Sequence, residues 1–250
     1  MSRKTFDERS RRRFLSTTAA AAAGVTGMTA VGAAKKSPEE VIAKARNKFD
    51  QNKWDTDKYR KYLRKKGFNT PNLQGEVEIK KPKKEEDDEI SGQKFEQHHF
   101  NFDFTLGNND THAWPFVTFY VDPGWWRDGE YPVDGVSFGW DSDEYDYDEE
   151  WWGSDPADLR EYSGRGVAFE YDDAYGTIKE DGENWVQARI RSEGGTESTR
   201  NVIFSYLHTW NSTTVESVSV GTDGVISMTL SNEDKKWDNP VQDQLTEADQ

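Results

Sequence analysis

Residues 99–106 read His99-Phe100-Asn101-Phe102-Asp103-Phe104-Thr105-Leu106. Apolar and polar side chains alternate here with a period of two, the mark of a strand with one buried face. Working outward, related patterns predict strands at 114–121, 133–141, 165–171, 184–192, 201–210, 214–220 and 225–230. Asp122-Pro123-Gly124 reads as a turn, and Gly221-Thr222-Asp223-Gly224 sits at the centre of a hairpin from Val215 to Leu230. Short strands with polar turns and no strand–helix alternation predict a mainly β fold. We expect an antiparallel β-sandwich or jelly roll over residues 93–232.

Upstream the period changes. Ser37 suits an N-cap, Pro38 the first helical position, and Glu39 and Glu40 the first turn. Val41, Ile42, Ala45 and Phe49 then recur at helical spacing over 37–51. A second helix is predicted from about Asp57 to Lys66, with Tyr59, Tyr62 and Leu63 on one face and Gly67 as its stop. Residues 35–68 therefore read as a short helical N-terminal extension. Residues 69–92 read as a charged linker, with the basic block Lys80-Lys81-Pro82-Lys83-Lys84 running into Glu85-Glu86-Asp87-Asp88-Glu89. Residues 233–250 read as a frayed acidic tail.

The first 34 residues belong to a different problem. They contain Ser10-Arg11-Arg12-Arg13-Phe14-Leu15 and then a weakly apolar stretch rich in Ala, Gly and Thr, ending in Val31-Gly32-Ala33-Ala34. Arg11 and Arg12, one free position, then Phe14 and Leu15 resemble the twin-arginine export motif. Cleavage is expected near Ala33 and Ala34. The resemblance implies export in folded form and a secreted or cell-surface location. An uncleaved segment would be the chain's contact with a membrane.

Charge points to the solvent. The chain has 32 Lys+Arg and 47 Asp+Glu. Beyond residue 34 the balance is 26 bases to 45 acids, net −19, and residues 91–250 carry 10 bases, four of them lysine, against 33 acids. Such a charge strains a compact state by self-repulsion, which salt near 1 M screens within about 3 Å. The lysine-poor, acid-rich surface resembles exported proteins of halophilic archaea. Val202-Ile203-Phe204-Ser205-Tyr206-Leu207-His208-Thr209-Trp210, the following hairpin with Lys236-Trp237, and Gly166-Val167-Ala168-Phe169-Glu170-Tyr171-Asp172-Asp173 are similar to the C-terminal part of uncharacterised haloarchaeal twin-arginine-exported proteins. That resemblance implies the fold and the solvent; it brings no catalytic residues.

Several chemistries drop out. The chain has no cysteine, which removes thiolate zinc sites, iron–sulfur clusters, cysteine nucleophiles and a lipobox. Stability must come from a core in which 10 Trp, 10 Tyr and 13 Phe figure largely. His98, His99, His112 and His208 lack metal-ligand spacing, and no glycine-rich phosphate loop occurs, so neither a metal nor a cofactor is expected. The acidic body disfavours nucleic acid.

What remains are candidates. Asp141 to Glu150 is an acid-rich run that could offer oxygen ligands to a hard cation, though it lacks EF-hand spacing. A solvated acidic loop is the plainer reading. Within it, Glu144-x-Asp146-x-x-Glu149 is similar to the carboxylate strand of a jelly-roll family of retaining glycoside hydrolases, with tyrosines where that family has aliphatics. Trp125-Trp126 and Trp151-Trp152 could stack on sugars, or place one ring on each face of a strand. Asn109 and Asn211 begin glycosylation patterns. The expectation is an exported, non-enzymatic binding domain for an extracellular or cell-surface partner, with glycan as a candidate. Alternatives are a secreted glycoside hydrolase using Glu144 and Glu149, and a secreted antimicrobial protein.

Overall fold

The computed structural model describes residues 36–79, 98–121, 133–155, 157–172, 184–196, 199–207, 215–220, 226–230 and 241–247. Arg11, Arg12, Phe14 and Leu15, Ala33 and Ala34, the Lys80–Glu89 block, Trp125-Trp126, His208 and Asn211 lie outside these residues.

Two helices come first, α1 (Pro38–Asp50) and α2 (Thr56–Arg64). Both start as their sequences dictate. Ser37 caps α1 in a full capping box: its hydroxyl accepts the Glu40 N–H, and the Glu40 carboxylate accepts the Ser37 N–H, each at 3.2 Å. Asp55 caps α2 by accepting the Lys58 N–H at 2.7 Å. Gly67 follows α2 with φ of +89°, the left-handed conformation suited to glycine.

Twelve strands follow among the described residues: β1 (Asn72–Ile79), β2 (His98–Asn108), β3 (His112–Val121), β4 (Val133–Gly139), β5 (Tyr145–Gly153), β6 (Ala157–Ser163), β7 (Gly166–Asp172), β8 (Asn184–Ser192), β9 (Asn201–Leu207), β10 (Val215–Val220), β11 (Ile226–Leu230) and β12 (Val241–Thr246). One sheet runs β1-β2-β3-β8-β5, the second runs β12-β9-β4-β7-β6, and β10-β11 is a separate hairpin. Every pairing is antiparallel. The fold is a β-sandwich, as the alternating pattern of β2 predicts.

The core between the sheets is built from inward residues of both. Phe100, Phe102, Phe104 and Leu106 of β2 face Phe138, Phe204 and Tyr206 of the second sheet. The rings of Phe100 and Tyr206 stack 4.0 Å apart, and Phe104 lies 5.8 Å from both Phe138 and Phe204. Burying each such side chain contributes roughly 1.5–3 kcal/mol, so the aromatic inventory offsets the absent disulfides. Gly75 shows how closely this layer is packed. A Cβ there would stand 2.3 Å from the Phe102 ring.

Four expectations change. The segment expected to begin a linker at residue 69 holds β1, which pairs with β2 from Asn72↔Thr105 to Ile79↔His98. Its alternation is weak because Gly75 takes an inward position whose space the Phe102 ring fills. The tail expected over 233–250 contains β12, paired with β9 from Val241↔Tyr206 to Thr246↔Asn201. Leu245 enters the core, and Glu247 is 1% exposed. The acidic run is a turn followed by β5, and β6 is a further strand the pattern did not mark.

The helices are an extension in sequence only. β3 is apolar on both faces: Ala113, Val117 and Phe119 join the inter-sheet core, while Trp114 and Phe116 face outward. Trp185 of β8 faces outward too, and a face that apolar needs cover. Val41, Ile42, Ala45 and Phe49 of α1, with Tyr59 and Leu63 of α2, supply it. Phe116 sits at the centre, 4.6 Å from the Tyr59 ring and 5.2 Å from Phe49. From Ser37 onward the chain forms one compact unit.

Candidate functional site: a groove beside the helical layer

The helices cover only part of the outer face of the first sheet. Beside them lies an open groove of about 430 Å³, lined by Thr56 of α2 and by residues of β1, β2 and β3. The register explains its floor. Gln74, Asp103 and Thr118 form one cross-strand rank, and Glu76, Asn101 and Tyr120 form another. Between them lies the rank Gly75, Phe102, Phe119, whose side chains turn toward the core. Residues two apart on a strand lie roughly 6.7 Å apart, and neighbouring strands about 4.8 Å. The groove is therefore a trough running across the strands, walled by two polar ranks.

Asp103 anchors one wall and is 8% exposed. Its carboxylate accepts the Thr56 hydroxyl at 2.8 Å, the Gln74 amide at 2.7 Å, and the Arg60 guanidinium. Arg60 also donates to Thr105 at 3.2 Å and to Asp57 at 2.6 Å. Burial alone would lower the Arg60 guanidinium. Its bonds to Asp103 and Asp57 outweigh that and hold it above its ordinary value. None of the described lining residues is basic. The trough offers carboxylates, amides, hydroxyls and one tyrosine, a set suited to a neutral, donor-rich ligand.

A second polar cluster holds α1 down. Arg46 donates to the Gln187 side chain at 3.2 Å, and Gln187 donates to the Tyr59 hydroxyl at 2.8 Å. The guanidinium lies 3.7 Å over the Trp152 ring. Burial pulls Arg46 down to about 10, against the opposing charges of Tyr59, Glu150 and Asp50. Burial likewise pushes the Tyr59 phenol up. The helical layer and the groove wall thus share the same sheet face.

The sequence candidates fall elsewhere. Glu144 lies in the turn before β5, where its carboxylate accepts the Asn201 N–H at 3.2 Å. Burial raises its carboxyl above the ordinary range, opposed by that hydrogen bond. Glu149 is exposed on the bulge of β5, with φ of +53°. One carboxylate is held in a turn and the other stands on a bulge, so the two do not share the one regular strand that the resemblance implies. Three of the remaining acids of the run meet arginines of β8. Asp146 pairs with Arg191 at 3.2 Å, Asp148 with Arg189 at 2.5 Å, and Glu150 with Arg189 at 3.0 Å. Among the described residues no group of three or more His, Asp or Glu is placed to hold a metal ion.

Trp151 and Trp152 divide between the faces of β5. Trp151 packs 5.4 Å from Phe169 in the inter-sheet core, and Trp152 lies under Arg46 on the helical side. His112 lies 3.4 Å from Asp148, away from the groove. Asn109 caps the β2–β3 turn: its side-chain oxygen accepts the N–H groups of Thr111 and His112, each at 2.9 Å. The groove residues escaped the sequence reading because β1 did. Once β1 is aligned on β2, the polar alternate positions of three strands fall into two ranks.

No family model and no curated protein matches the chain. Solved structures give distant likenesses. The cohesin module of a Clostridium perfringens family 33 glycoside hydrolase aligns with TM-score 0.30 and 11% identity, over 57% of this chain and 93% of that one. The N-terminal domain of a Streptococcus gordonii adhesin aligns with TM-score 0.28 and 13% identity, over 52% of this chain and 28% of that one. The KRT10-binding region domain of the pneumococcal serine-rich repeat protein PsrP aligns with TM-score 0.29 and 7% identity, over 64% and 98%. At these scores the likeness says nothing about ligand or activity; the two-sheet architecture stands on the chain's own strand pairing.

Proposed function

We propose that this chain is an exported, salt-adapted binding domain with no catalytic role. Its ligand is an extracellular or cell-surface partner rich in hydroxyl groups, a glycan being the best fit. The observation that carries this reading is the groove: two polar ranks across β1, β2 and β3, with Tyr120 at one end and no basic side chain among the described residues of its lining. Carboxylates and amides accept and share the hydrogen bonds of sugar hydroxyls, and an aromatic ring can take the apolar face of a pyranose. Glu144 in its turn and Glu149 on the β5 bulge do not share a regular strand, which supports binding over hydrolysis. The twin-arginine motif at Arg11 and Arg12 supports export, and the acid excess supports life in brine.

Glycan-array binding in strong salt tests it, with N101A and Y120A as probes. Loss of one hydrogen-bonding amide or one stacking ring should weaken binding about 5–30-fold, from roughly 1–2 kcal/mol each. Undiminished binding by both variants would move the ligand elsewhere. Silence of the native protein against cell-envelope glycans would count against the glycan reading. N-terminal sequencing of the secreted protein tests export: a start close after Ala34 is expected.

A further inference from the structure

Charge is segregated between the two layers of this molecule. From Pro38 to Lys66 the chain has ten bases against five acids, and seven of the bases are lysine. Residues 91–250, by contrast, have four lysines and a net charge of −23. Arg46 and Arg60 are turned into the sheet and buried. Lys44, Lys61, Lys65 and Lys66 are exposed, and no carboxylate among the described residues forms an ion pair with them. Lys44 and Lys66 lie 5.4 and 5.9 Å from the Tyr62 ring, and the Trp54 ring is 5.0 Å from it. The outward face of the hairpin is thus a half-buried aromatic pair among unpaired ammonium groups.

The complement lies on the same chain. β5 ends the first sheet, β6 ends the second, and the two lie side by side. On that edge Glu149, Asp155 and Glu161 are exposed and unpaired among the described residues. Beside them stands Tyr162, a large apolar residue that is 50% exposed. One patch is basic with half-buried rings; the other is acidic with an exposed ring.

We propose that the hairpin face of one copy docks on the β5–β6 edge of a second copy. The two patches differ, so the contact is head-to-tail and extends rather than closing as a twofold dimer. The 13-residue α1 is about 20 Å long, and two adjacent helices present roughly 400 Å² in projection. A stable interface needs about 800 Å² per partner. The association is therefore weak, driven by charge and loosened by salt. Strong salt keeps copies apart, and lowering the salt brings them together.

Sedimentation velocity of the full chain tests this at about 0.1 M and about 3 M salt, with circular dichroism confirming the fold at both. The mean mass should rise with protein concentration at the lower salt and stay monomeric at the higher. K61E/K65E/K66E and E149K/D155K/E161K should each abolish the rise. An equimolar mixture of those two variants should restore association, because each hairpin then meets an edge of opposite charge. A chain monomeric at both salts, or loss in the variants without recovery in the mixture, would overturn the proposal. So would pelleting with anionic phospholipid vesicles by a chain that never self-associates, which would give the hairpin face to a bilayer instead.

Discussion

Replacing Glu247 by Gln should destabilise this protein out of proportion to its place at the end of the chain. The carboxylate is 1% exposed. One oxygen accepts the Tyr145 hydroxyl at 2.5 Å, and the other lies 3.1 Å from the Arg200 guanidinium, itself 9% exposed. The Glu247 N–H donates to the Arg200 carbonyl at 3.0 Å, and Asn69 donates to the Glu247 carbonyl. This cluster fixes β12 and ties it to the chain leaving α2. Burial, then Glu247 as acceptor, pushes the Tyr145 phenol up, so it stays a donor. E247Q keeps shape and an acceptor for Tyr145 but takes away the carboxylate in contact with the buried Arg200 cation, leaving it only the more distant charge of Glu144. Removing one partner of a buried pair costs about 3–5 kcal/mol, and the retained hydrogen bond places E247Q near 3. For a chain of this size that lowers the melting midpoint by roughly 6–12 °C. Thermal unfolding followed by circular dichroism, at about 1 M and about 3 M salt, measures it; the loss should be alike at both because buried pairs are little screened. E161Q, on exposed β6, should stay within about 0.5 kcal/mol of the parent. Replacing both partners, as R200M/E247L, should recover much of the loss. A loss below about 1 kcal/mol for E247Q would refute the burial argument.

G75A places a methyl 2.3 Å from the Phe102 ring and should cost about 1–3 kcal/mol in chemical denaturation; F102L, by making room, should relieve part of it. D55A removes the α2 N-cap and should cost about 1 kcal/mol. The Lys58 side chain, then its N–H, holds the Asp55 carboxyl below its usual range. Its folded value is thus depressed, so its contribution is present above the ordinary carboxylate range and disappears as pH falls through the lower folded value; D55A should show a smaller drop in stability over that acid window than the parent. The melting midpoint of the parent should rise between about 0.1 and 3 M salt as self-repulsion is screened; a flat series would remove the brine reading.

The sandwich was legible wherever one strand face was buried and the other wet. β2 is the model case, and the eight strands that follow such patterns are all present. The caps of α1 and the stop at Gly67 were legible too, because they depend on residues within one turn. Four strands were not. β5 alternates tyrosine with aspartate, and its acids looked like solvated loop until Arg189 and Arg191 of β8 came opposite them. β12 is polar by composition, and its anchors, Leu245 and the Glu247 that follows it, are isolated buried positions rather than an alternating pattern.

Sequence by itself therefore determined the class of fold, the helix starts and the charge imbalance, since each is written in neighbours along the chain. Tertiary structure alone decided that the helices are a layer of the domain, that the last strand is locked by a buried ion pair, and where a groove opens. Those features depend on register between distant strands. A one-residue slip of β1 on β2 would turn Gln74 and Glu76 inward and erase the groove, and no local pattern records that alignment.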